Sequence, residues 1–204
     1  MNFKEFFICE DSIKNIEQHL RDRGVDPEKL GVIYDKESNI ANFLLYNLSG
    51  QLIGFQQYNP NKPKAHYKGE KMKDLVKYYT YVSKEGGKKD TFISVWGLEN
   101  IDFEKDKEIW ITEGIFDAVK LVNAGLPALA VLTATPSKQL KQWLSIINKK
   151  IIGILDADEA GNLLKSVTSV AYTVPKPYKD LGEMPQEEVN SFVKDIQDGK
   201  IKSL

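Results

Sequence analysis

At 204 residues, 42% hydrophobic and 28% charged, the chain carries enough apolar side chain to bury a substantial core in one domain or two packed lobes. It holds no apolar stretch of membrane-spanning length, and the run at 3–9 is too short for a signal peptide and is flanked by acids, so a cytoplasmic location is expected. Cys9 is the single cysteine and the net charge is −1, which excludes an internal disulfide, a zinc ribbon within this chain and a wholly basic surface.

In chain order, residues 11–23 read as a short helix, broken at 24–27 by glycine and proline. Residues 42–58 read as two antiparallel strands joined at Ser49-Gly50. Between 62 and 89 stand nine lysines against three acids, with Tyr67, Tyr78, Tyr79 and Tyr81 among them. Ammonium groups interleaved with aromatic faces suit single-stranded nucleic acid. A solvated lysine-rich loop with tyrosines packed beneath it accounts for the same pattern. Gly86-Gly87 marks a loop, 92–96 returns to strand, and the polar stretch 101–106 reads as a hinge.

From 107 onward strands and helices alternate: 108–112, a helix, 128–132, a helix from Pro136, 150–155, a helix, and 170–174. That order predicts a parallel sheet of βα units. Thr135 followed by Pro136 reads as a polar cap with proline at the first helical position, and a last amphipathic segment follows 184. The division expected is a mixed α+β lobe over 1–105 and an α/β lobe over 106–204.

Two strand ends carry the chemistry. The stretch 150–162, KIIGILDADEAGN, is an apolar, β-branched run that ends in Asp156 and Asp158, and Gly161 permits a tight turn behind them. Residues two apart in extended chain point the same way, so the pair can offer several oxygens to one hard cation such as Mg²⁺. Solvated acids capping a helix would look the same. In the stretch 108–125, EIWITEGIFDAVKLVNAG, Glu113 ends a strand and Asp117 lies about one helical turn on. Open α/β sheets place their sites in that crevice. Either acid alone also reads as one favoured by a helix N-terminus or by solvent. His19 and His66 have no ligand partners at zinc spacing. Trp96, Trp110 and Trp143 read as core, and Lys165 as a helix-surface charge.

E-G-x-x-D, followed 43 residues later by D-x-D-x-A-G, resembles the Toprim domain, and more narrowly that of DnaG-type bacterial and phage primases. Topoisomerases and maturation nucleases usually follow the paired aspartates with x-x-G-E. The segment 178–184, YKDLGEM, resembles the primase K-D-x-x-E/D element and contributes Asp180. Gly182 stands where the family often has a further acid, which leaves Glu183 as a substitute. Looser likeness extends upstream over 16–31, 42–69 and 95–100. Where many relatives carry an Arg after the G-F strand, this chain reads Gln56-Gln57-Tyr58.

The resemblance implies an α+β lobe followed by a Toprim lobe with a mostly parallel, Rossmann-like sheet. It implies a DNA-dependent RNA primase, or its catalytic core, that makes short RNA primers on single-stranded DNA from ribonucleoside triphosphates. Mg²⁺ or Mn²⁺ would be held by Glu113, Asp117, Asp156, Asp158 and Asp180, with Glu113, Asp156 and Asp158 catalytic. Lys62, Lys64, Tyr67 and Lys68, in the loop resembling the family's basic motif, would contact nucleic acid or nucleotide. DnaG-type primases generally carry an amino-terminal zinc module, for which the single Cys9 does not suffice, and a helicase-binding tail is not evident. A replicative helicase or another template-selecting protein is therefore the expected partner, and a phage or plasmid replication system the expected setting. A Toprim nuclease and a non-catalytic nucleic-acid-binding member of a replication complex are the alternatives.

Overall fold

The computed structural model describes residues 13–47, 49–64, 76–83, 95–133, 136–157 and 164–204. By internal contacts the chain divides into one unit of residues 1–44 and 54–83 and a second of 45–53 and 84–204. The architecture is mixed α/β, with one antiparallel and one parallel sheet of four strands each among the described residues.

The first sheet runs in sequence order through β1 (Ile33–Asp35), β2 (Ile40–Tyr46), β3 (Leu52–Tyr58) and β4 (Tyr78–Val82). Along β2 burial alternates, with Ala41, Phe43 and Leu45 inward, as a strand with one covered face requires. Helix α1 (Ile16–Asp22) is started by Asn15, whose side chain accepts the Gln18 N–H, and buries Ile16 and Leu20. Gly24, at φ 81°, lets the chain leave the helix.

Strand β4 departs from the expectation of a lysine-tyrosine loop. Tyr78, Tyr79 and Tyr81 pair across to Tyr58, Gln57 and Phe55, and rings stack between Phe55 and Tyr81. Aromatic residues suit a half-buried pleated surface; Tyr78 and Tyr79 are partly buried and Tyr81 is exposed. Gly54 shows how close the pairing is: a β-carbon there would run into the backbone carbonyl of Tyr81.

The parallel sheet has the order β6 (Ala128–Ala130), β5 (Glu108–Thr112), β7 (Lys150–Leu155), β8 (Val170–Thr173). Strands β5 and β7 are buried after their first residue, which is why they read as unbroken apolar runs. Trp96 joins the sheet through a single antiparallel bridge to Ala130. Helix α2 (Ile115–Asn123) lies against β5 and β6 and is buried from Ile115 through Leu121. Helix α4 (Gln186–Gln197) packs on α2 through its apolar face of Val189, Phe192, Val193 and Ile196. The remaining core gathers Leu98, Ile109, Ile111, Leu129, Trp143 and Leu155.

Helix α3 (Lys138–Ile146) starts later than Thr135-Pro136 suggested. Ser137 is the cap, its hydroxyl accepting the Leu140 N–H at 3.1 Å. That bond satisfies an otherwise orphaned amide, while Thr135, the cap expected, lies outside the described residues. After β7 the described residues hold a short 3₁₀ turn, Lys165–Val167. No described helix is long and apolar enough to cross a membrane.

Candidate active site

Glu113 and Asp156 stand at the carboxyl ends of β5 and β7, which are adjacent and parallel. The register Ile109↔Ile151 and Ile111↔Gly153, carried two residues on, sets Glu113 opposite Leu155 and beside Asp156. Parallel neighbours lie about 4.8 Å apart. Both acids are half-buried, because a parallel sheet covered on its faces opens to solvent at the strand ends.

Backbone hydrogen bonds hold Glu113 in place. The Val131 N–H donates to the Thr112 carbonyl and the Leu132 N–H to that of Glu113, each at 2.9 Å. Leu132 makes its bond from the left-handed region at φ 59°, a conformation that costs a non-glycine residue about 1–2 kcal/mol. The Thr112 hydroxyl donates to the Gly114 carbonyl at 3.0 Å and closes the turn into α2.

Asp180 reaches the same end from far down the chain. The Ala157 N–H donates to the Lys179 carbonyl at 2.9 Å, which joins the residue after Asp156 to the residue before Asp180. The Asp180 carboxylate caps the short helix Leu181–Glu183 by accepting the Glu183 N–H at 3.0 Å. Glu183 reaches back to accept the Lys179 N–H, also at 3.0 Å. The two acids thus brace one turn, an arrangement close to a capping box.

Asp117 is the buried member of the group, 8% exposed. Its Oδ1 accepts the Gly182 N–H at 2.7 Å across 65 residues of sequence, a charge-assisted bond of the strong class. Its Oδ2 lies 2.6 Å from where a β-carbon on Gly114 would sit. Glycine at 114 is therefore what admits this carboxylate. Gly182, read from the sequence as a missing acid, supplies the amide that receives it.

Of the expected site residues, the structure brings Glu113, Asp117, Asp156 and Asp180 to one end of the parallel sheet. Asp158, Tyr67 and Lys68 lie outside the described residues. Lys62 and Lys64 follow β3 in a polar turn whose side chains are partly or fully exposed. Sequence reading passed over Lys120, which is 6% exposed and three residues beyond Asp117, on the same helical face.

Among the described residues, no three carboxylates or imidazoles converge as a ready metal cage. The donor chemistry nevertheless fits a hard cation. Mg²⁺ is usually held by one or two carboxylates, several waters and substrate phosphates rather than an all-protein cage, and Glu113 and Asp156 are the candidate donors of that kind at these strand ends.

Residues 110–180 match the family model described as Toprim-like. Solved structures share the fold over most of the chain. The zinc-binding and RNA polymerase domains of the Aquifex aeolicus primase align at TM-score 0.66 and 20% identity, covering 92% of this chain and 56% of that one. The primase fragment of the bacteriophage T7 primase-helicase aligns at 0.61 and 16%, covering 89% and 73%. The E. coli primase catalytic core aligns at 0.58 and 17%, covering 89% and 64%. The likeness is one of fold, and the chain spans a little over half of the Aquifex protein's aligned structure. A comparison with curated proteins finds no match in sequence.

Proposed function

We propose that this chain is a nucleotidyltransferase, the catalytic core of a DNA-dependent RNA primase, which joins ribonucleotides on a single-stranded DNA template. The observation that carries the reading is the gathering of Glu113, Asp156 and Asp180 at the carboxyl end of one parallel sheet, with Asp180 tied beside Asp156 by the bond from Ala157 to Lys179. The Toprim-like match over residues 110–180 and the primase fold of its structural relatives support it. One of those relatives is a DnaG primase catalytic domain bound to single-stranded DNA.

In this mechanism Glu113 and Asp156 would hold Mg²⁺ or Mn²⁺, with Asp158 and Asp180 as further carboxylate ligands. The ion, when bound, offsets triphosphate charge and stabilises the departing pyrophosphate. Glu113 would also take the proton from the attacking 3′-hydroxyl. Asp117 acts through its hold on Gly182, which orients the turn bearing Asp180. Lys62, Lys64 and Lys68 would lie along the template or nucleotide phosphates. Alone the chain is expected to prime weakly and with little sequence preference, and a replicative helicase or template-binding partner to stimulate it.

The test is synthesis on single-stranded template with labelled ribonucleotides and Mg²⁺ or Mn²⁺. Asp156→Asn and Glu113→Gln should each lower product by about two orders of magnitude or more, in the range typical of removing a catalytic group, with unchanged circular dichroism. Near-normal synthesis by both variants would overturn the assignment. Template loss without synthesis would favour a nuclease, and neither activity a binding role.

A further inference from the structure

The opposite end of the parallel sheet mixes charges, with Asp106 and Glu108 beside Lys107 and Lys150, but the only charged residues lining its cavity are lysines. Strands β5 and β7 begin beside Lys107 and at Lys150 and end at Glu113 and Asp156, and six residues of strand separate the two ends of β7 by about 20 Å. At the amino end, α3, the start of β7 and residues 166–169 line an open cavity of about 510 Å³, within the roughly 300–1,000 Å³ usual for small-molecule sites. Lys141, Lys149 and Lys150 line it, with Asn148 and four hydroxyl residues, over a floor that includes Leu144 and Ile151. None of the lining residues is an acid.

Among the described residues, no carboxylate lies within 4.0 Å of the ammonium groups of these three lysines. Lys149 is held by the Phe103 carbonyl at 2.6 Å, while Lys141 and Lys150 are exposed. The Ser169 hydroxyl accepts the Ile151 N–H at 3.0 Å; as an acceptor there, it keeps its own proton to donate. Cations, a hydroxyl donor and an amide around an open cavity match the oxygens of a phosphate. The apolar floor is a surface on which a flat or aliphatic portion of the same ligand can rest.

We propose that this cavity is a binding site for a phosphate-bearing small molecule, separate from the acidic end of the sheet. It stands independently of the primase reading. The recognised chemistry is a di- or triphosphate, borne either by a nucleoside or by an inorganic polyphosphate.

The test uses the full chain, labelled with ¹⁵N, in metal-free buffer so that phosphates are not recruited through the carboxylates. It is titrated with ADP and, separately, with inorganic pyrophosphate. Saturable movement of the amide signals of Asn148 to Ile151 and Ser166 to Ser169 is the expected result. Equal affinity for both probes identifies the phosphate group as the whole ligand; tighter ADP binding shows that a nucleoside seats on the floor. The variant Lys141→Met/Lys150→Met keeps the side-chain stems and should weaken binding about tenfold or more, as loss of two charge-assisted contacts requires. No saturable shift at millimolar probe would overturn the proposal and leave the lysines as partners for the carbonyls ending α3. Movement confined to the Glu113 and Asp156 end, or equal affinity in the double variant, would also overturn it. Should that variant not fold, the wild-type titration decides alone.

Discussion

Gly114→Ala is the substitution whose effect depends most sharply on one contact. Gly114 has φ −105° and ψ 155°, which alanine adopts without strain, so restriction of the unfolded chain should stabilise by about 0.4–1 kcal/mol. The new β-carbon, however, would sit 2.6 Å from Asp117 Oδ2. That carboxylate has little room to yield, because Oδ1 is bound to the Gly182 N–H at 2.7 Å. Displacing it sacrifices a hydrogen bond to a charged acceptor, worth about 1.5–3 kcal/mol. The net expectation is destabilisation by about 1–2 kcal/mol. Asp117→Ala removes the obstacle, so Gly114→Ala in that background should reverse sign and stabilise by a few tenths to about 1 kcal/mol. Urea unfolding of the four proteins, followed by circular dichroism in metal-free buffer, yields the coupling as a double-mutant cycle. Any interaction of Asp117 that Gly114→Ala leaves undisturbed cancels in the cycle. If Gly114→Ala were equally destabilising in both backgrounds, the carboxylate would not be what Gly114 accommodates, and the coupling of the α2 turn to Gly182 would fall with it.

Gly54→Ala should cost about 2 kcal/mol or more, since its β-carbon meets backbone and not a movable side chain; a urea midpoint equal to wild type would refute the β3–β4 approach. His19 accepts or donates at 2.8 Å with the Tyr58 hydroxyl, which also receives Arg23 at 3.4 Å, and burial followed by the Arg23 charge holds its imidazole below the ordinary 6.5. Between that lowered value and about 6.5 the unfolded chain binds a proton that the folded chain does not, so stability should decline as pH falls through this window and be fully retained above it. His19→Gln should flatten the decline in urea midpoints measured from about pH 8 to pH 5; an unchanged slope would remove His19 as its source. Lys64→Ala with Lys68→Ala should reduce the salt dependence of single-strand binding by about one unit of log-log slope per lost phosphate contact, and an unchanged slope would return both to solvent.

The β5–α2 and β7 segments were legible because one physical cause marks them. A strand covered on both faces must be apolar throughout, and where it emerges the chain can afford acids and a glycine turn. Glu113 and Asp156 follow from that pattern, as do the helix at Ile115–Asn123 and the α/β class. Strands β1 and β4 escaped notice because they are short or rich in tyrosine. Ile33 is 59% exposed, and the three tyrosines of β4 carry no alternation of polar and apolar residues. Their place comes from pairing with β3, which no local pattern records.

Local chemistry in the sequence thus determined the strand ends and the acids they carry, since burial and turn formation act over a few residues. Only the tertiary structure decided which acids meet. Asp117 finds Gly182 across 65 residues, and Ala157 binds Lys179 beyond strand β8. The same packing turned Gly182 from an apparent gap in an acidic motif into a donor, because a buried carboxylate must be paired and a backbone amide can pair it whatever side chain it bears.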